Sequence, residues 1–128
     1  MRVLALDYGS ARCGCALSDP TQTLATPLPA VERPATRRGL ARITALAREH
    51  EVGRVVVGLP LRLAGGDSDQ TREVRAWADG LAAALPAVPI ELEDERFTTT
   101  LARRTGGAAA DEDSRAAAIL LEGWLARR

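Results

Sequence analysis

The chain opens on an apolar run, Val3-Leu4-Ala5-Leu6, that ends on a carboxylate, Asp7. A tight hairpin would place Asp and Gly as its two central residues. Here Asp7 precedes Tyr8-Gly9, so it either begins a turn or stands at a chemical site. Three β-like runs, at 2–7, 13–17 and 23–29, are joined by short links containing Gly, Ser, Asp and Pro, which predicts an antiparallel meander. Between 33 and 51, Leu40, Ile43 and Ala47 share one helical face and arginines occupy the rest, an amphipathic helix. Residues 54–60, RVVVGLP, form a continuous apolar run bounded by Gly58 and Pro60, as in a buried parallel strand. Val74, Trp77, Ala78, Leu81 and Leu85 follow helical spacing, with Asp67 or Ser68 available as the cap. VPIELEDER, 88–96, reads as a fifth strand. In the stretch 113–128, a stripe of Ala117, Leu120, Leu121 and Trp124 predicts a further helix. The order βββ-α-β-α-β-α predicts an α/β fold: a mixed sheet, made of a three-strand antiparallel meander plus two parallel strands, with helices on both faces.

Composition narrows the classes. At 128 residues the chain is expected to form one domain, 1–128, large enough to bury about two-thirds of its unfolded surface. No apolar run approaches the roughly 20 residues needed to cross a bilayer, and Asp7 arrives too early for a signal-peptide core. The expectation is a cytoplasmic protein with no membrane partner. Cys13 and Cys15, the only cysteines, fall at alternate positions of one strand, poorly placed for a disulfide. With one histidine, His50, they make no zinc constellation and read as small buried hydrophobes. Net charge is zero, but all 17 basic residues are arginine. An abundance of Ala, Gly and Pro points to compositional bias, although Arg is also the better bidentate phosphate ligand.

The acidic residues carry the chemistry. Strands linked through right-handed helical crossovers run parallel, and ligands bind beyond their carboxyl ends. Asp7 and the pair Asp94-Glu95 are therefore expected on one rim of the sheet. One helical turn back from Ala117 lies Asp113, expected in the first turn of the last helix but on its apolar face, pointing at the sheet. Asp111 and Glu112 read as ordinary first-turn carboxylates. Two or three carboxylates together repel unless a cation sits between them, and an oxygen-preferring Mg²⁺ or Mn²⁺ resolves the conflict. Strand alternation leaves open whether Asp94 or Glu95 faces the site.

Four blocks, LDYGSARCGCAL, VVVGLPL, EDERFTT and DSRAAAILLEGWL, resemble in order those of the YqgF family of pre-16S ribosomal RNA nucleases, once described as Holliday-junction-resolvase-like. The resemblance runs over nearly the whole chain. It implies an RNase H-like five-stranded mixed sheet and one or two Mg²⁺ or Mn²⁺ ions. It implies Asp7, Glu95 and Asp113 as catalytic and metal-holding carboxylates, with Asp94 in reserve to Glu95. Arg12 and Arg96 match phosphate-contacting positions, and Gly9 and Gly58, with Pro60, shape loops close to substrate. Cys13 and Cys15 replace aliphatic residues of the family, Arg62 replaces a common Asn, and the lysine often found before the third Asp is missing.

The function this implies is a metal-dependent endonuclease hydrolysing phosphodiester bonds, processing the end of precursor 16S rRNA. Two alternatives stand beside it: a Holliday-junction resolvase acting on branched DNA as a dimer, and a nucleic-acid-binding module that does not cut. A mere binder has no need to concentrate negative charge beside phosphates. An actin-like kinase shares the Asp-x-Gly opening but needs a second domain. Because the apolar helix stripes are all claimed by the sheet, a monomer or weak homodimer is expected, with pre-ribosomal particles as a further partner.

Overall fold

The apolar runs pair into one mixed sheet of five strands, in the order β3-β2-β1-β4-β5. The strands are β1 (Arg2–Asp7), β2 (Arg12–Ser18), β3 (Ala25–Glu32), β4 (Val52–Leu59) and β5 (Ile90–Asp94). Three helices, α1 (Arg37–Glu49), α2 (Asp69–Ala84) and α3 (Ala109–Ala126), complete the described fold. This computed structural model describes residues 1–61, 66–94 and 109–127, with side chains given at all of these except 109–112. β1 runs antiparallel to β2 and parallel to β4; β2 and β3 are antiparallel, β4 and β5 parallel. The meander and the two parallel crossover strands are as the sequence predicts.

Alternation along β1 divides the core in two. Leu4 and Leu6 point to one face, where Val55 and Val57 of β4 join Ile43, Leu46 and Ala47 of α1 and Val74, Trp77 and Leu81 of α2. Val3 and Ala5 point to the other, against Ala117, Ala118, Leu120, Leu121 and Trp124 of α3. Both faces of the central strands are covered, which is why these strands read as unbroken apolar runs rather than alternating ones. The predicted α1 stripe shifts by one detail: Leu40 is only partly buried, and Gly39 takes the buried place against the backbone of Arg33 and Pro34.

Capping follows the sequence closely. Ser68, rather than Asp67, caps α2 through a reciprocal capping box with Thr71. The Thr71 hydroxyl also donates to the Pro60 carbonyl at 2.6 Å, tying the start of α2 to the end of β4. Just beyond β1, the Tyr8 ring packs against Trp77 with centroids 4.8 Å apart. Its hydroxyl donates to Glu73 Oε2 at 2.6 Å, while Trp77 Nε1 donates to the Pro34 carbonyl. Cys13 and Cys15 are buried free thiols on the α1/α2 face, as expected. The other edge strand, β3, carries Pro27 and Pro29, a pattern that blunts further strand pairing. Among the described residues, no helix is long and apolar enough to cross a membrane.

Candidate active site

Asp7 closes β1 with the same parity as Val3 and Ala5, so its side chain belongs to the α3 face. Its partner across the antiparallel ladder is Gly14 of β2. Arg12, Gly14 and Ala16 share that face in turn, Ala16 lying in the α3 core. Two strand ends thus deliver a carboxylate and a guanidinium to the same side of the sheet.

α3 supplies the second carboxylate, and Gly14 lets it approach. A Cβ built at Gly14 would lie 1.9 Å from the Asp113 carbonyl oxygen and 2.9 Å from the Ser114 nitrogen. Only a residue without a side chain admits the helix backbone at that distance. Buried Ser114 fixes the position further: its hydroxyl accepts from the Cys15 amide at 3.4 Å and donates to the Leu28 carbonyl. The β2–β3 register shifts between Cys13 and Cys15, and Ser114 spans that irregularity. Asp113 is therefore held over β2, beside the end of β1.

The helix begins earlier than the sequence reading placed it. With Ala109 as the first described helical residue, Asp113 lies in the second turn instead of the first. Alanines at 109 and 110, strong helix formers, carry the helix upstream. Asp113 is consequently not a cap but a side chain aimed from the body of the helix. It is half-buried, and its Oδ2 accepts from Arg12 Nε at 2.9 Å. A hydrogen bond with Cys15, burial, and the nearby charges of Cys15, Asp7 and Asp113 all push the Cys13 thiol well above its usual range.

On β5, Glu91 and Glu93 face α3. Trp124 Nε1 and Arg54 reach Glu91, and Arg127 reaches Glu93, so both carboxylates are engaged at the far end of the helix. Asp94, one residue on, has the opposite parity and is exposed; it pairs with Leu59 across the parallel ladder. Gly58 lies buried in β4 between Val57 and Leu59, with Glu93 as its cross-strand partner. Gly9 makes the tight β1–β2 link, where a Cβ would meet the Arg12 carbonyl at 2.7 Å. Glu95, Arg96 and Arg62 lie outside the described residues. His50 caps the carboxyl end of α1, away from the acidic cluster.

Asp7 and Asp113 offer oxygen donors only, and a guanidinium is already drawn to one of them. That donor chemistry fits a hard divalent cation such as Mg²⁺. Among the described residues no group of three acidic, histidine or cysteine side chains completes a metal site. The structure gathers Asp7, Arg12 and Asp113, which the sequence singled out, around Gly14 and Ser114, which it did not. The signal for Gly14 was a glycine between two buried positions of a strand, which marks a close backbone approach.

Residues 1–127 match the family described as RuvX: Holliday junction resolvase. A protein of Anaeromyxobacter sp. (strain Fw109-5) named "Putative pre-16S rRNA nuclease" is 45% identical over 136 aligned positions, covering 100% of this chain and 98% of that protein. A protein of the same name from Maridesulfovibrio salexigens is 38% identical, covering 99% of each. Among solved structures, the fowlpox virus Holliday junction resolvase superposes with a TM-score of 0.65 at 11% identity, covering 100% of both chains. The RuvC of T. thermophilus in complex with a Holliday junction substrate gives 0.62 at 18% identity, covering 99% of this chain and 96% of that one. These likenesses identify the sheet and its helices as the RNase H-like fold of RuvC-type resolvases, and the sequence match makes this chain a member of the RuvX Holliday junction resolvase family.

Proposed function

We propose that the chain is a metal-dependent nuclease that hydrolyses phosphodiester bonds at the end of precursor 16S rRNA. The observation that supports this best is the convergence of Asp7 and Asp113 on one face at the β1 end, with Arg12 neutralising the second. Carboxylates gathered in this way favour a bound cation between them. The names of the full-length relatives point to the RNA substrate.

Asp7, Glu95 and Asp113 would hold Mg²⁺ or Mn²⁺. Glu95 is preferred to Asp94 because the block EDERFTT resembles the family's motif with Glu95 at the carboxylate position, and Asp94 stands in reserve. When bound, one or two such ions activate water and stabilise the leaving oxygen. The chain's own part is to fix the carboxylates on rigid elements and to grip the phosphate through Arg12 and Arg96. Gly9 keeps the rim low enough for a backbone to approach, and Gly58 lies buried in β4 beneath it. We place the activity in a single domain, 1–128, in the cytoplasm, acting as a monomer or weak homodimer, with pre-ribosomal particles as its setting.

The test is cleavage of a precursor 16S rRNA fragment by purified protein with Mg²⁺ or Mn²⁺, alongside a synthetic four-way DNA junction. EDTA should abolish cleavage. Asp7→Asn and Asp113→Asn should each lower the rate by a factor on the order of 100 or more while the protein stays folded. Full activity in Asp7→Asn would remove the site. Symmetric nicking of the junction with the RNA untouched would reassign the substrate to branched DNA.

A further inference from the structure

Arg12 donates to the Asp113 carboxylate, and it comes from the strand that the helix is clamped against. Three features set that pair apart from an ordinary surface ion pair. It joins residues 101 apart in sequence. Its acidic member is on an element held in place by Gly14 and Ser114, so Asp113 cannot easily move away. Its basic member has a long, flexible side chain with over a third of its surface exposed, so Arg12 can.

We propose that Arg12 is a stand-in for the metal: it neutralises Asp113 in the ion-free protein and is released toward the substrate phosphate when an ion loads. The proposal rests on the metal reading given above. A divalent ion sharing the Asp113 oxygen would place two positive charges beside the guanidinium, and the mobile partner is the one to yield. Once released, Arg12 remains at the start of β2, on the face it shares with Asp7 and Gly14. A planar bidentate donor there suits a phosphodiester oxygen pair. Arg12 thereby makes strong substrate grip conditional on a loaded site, and keeps the carboxylates from repelling one another before loading.

Competition of this kind has a signature with two opposite signs. Arg12→Gln removes the competitor, so Mn²⁺ should bind more tightly, by up to about fivefold for a half-exposed pair. The same change removes a phosphate contact, so a short single-stranded RNA, bound with Ca²⁺ in place, should be held about tenfold more weakly. Arg12→Lys retains a cation and should keep Mn²⁺ affinity near that of the wild type. A purely structural Arg12 would weaken both affinities together. Isothermal titration calorimetry of Mn²⁺, then of RNA, on the three proteins decides. Mn²⁺ binding that is unchanged or weaker in Arg12→Gln overturns the stand-in role, and unchanged RNA affinity overturns the release to phosphate. If the wild type itself binds no Mn²⁺, the metal reading fails and this inference with it.

Discussion

Tyr8 is the chain's single tyrosine and follows the candidate catalytic Asp7 directly. Burial, the hydrogen bond to Glu73 and the charge of Glu73 push its hydroxyl from 10.0 up to about 12. Because the folded value lies above the unfolded one, the unfolded chain loses the proton first as pH rises. The stabilisation is therefore fully present below about pH 10 and is lost between pH 10 and about 12. With one tyrosine, absorbance at the tyrosinate band titrates this group alone. We expect a midpoint near 12 in the folded protein, and a steeper fall of Tm from pH 10 to 12 in the wild type than in Tyr8→Phe. A midpoint near 10 would show that the Glu73 contact does not persist in solution. At this scale the sequence was informative about Asp7, whose place at the end of an apolar run marked it, and uninformative about Tyr8. Nothing local announces that Glu73, 65 residues on, will accept its hydrogen bond.

Among the elements, α3 shows how far periodicity reaches. Its stripe of Ala117, Leu120, Leu121 and Trp124 was legible because apolar residues recur with the helical period, and all four are buried. Its start was not, since Ala109 and Ala110 carry no amphipathic contrast to read. Nor was its docking: Gly14 and Ser114 meet across a hundred residues, and no window of sequence contains both. The same limit hid the Arg12–Asp113 pair, although each residue was picked out separately. Strand order was readable because short links force neighbours and helical crossovers force parallel returns. Gly14→Ala tests the docking. The added methyl must displace the α3 backbone from β2, an overpacking change that costs about 1–3 kcal/mol. We expect a lower Tm and a loss of nuclease activity that persists at temperatures where the variant is fully folded, because Asp113 shifts against Asp7. Wild-type cleavage by a folded Gly14→Ala protein would mean that the helix need not sit so close.

Across the whole molecule the two faces of the sheet are unequal. The α1/α2 side is built from large side chains, including Leu4, Leu6, Ile43, Trp77 and Leu81. On the α3 side four of the nine buried members are alanine, so each residue removes less apolar area from water. α3 is also the only described helix on its face, although it packs closely along β1, β2 and β3. A layer that buries less apolar area is the one expected to open first. In hydrogen exchange we expect the α3 amides to lose protection at lower denaturant than those of β1 and β4, with added Mn²⁺ slowing the α3 set selectively. Simultaneous exchange of α3 with β1 would show a single cooperative unit. The functional consequence follows from what the weaker layer carries. One carboxylate of the proposed site rides on α3 and the other on β1 at the centre of the sheet. Opening of α3 alone is therefore expected to disarm the proposed site while most of the fold survives, so that catalytic competence should fade on heating before the circular dichroism of the sheet does.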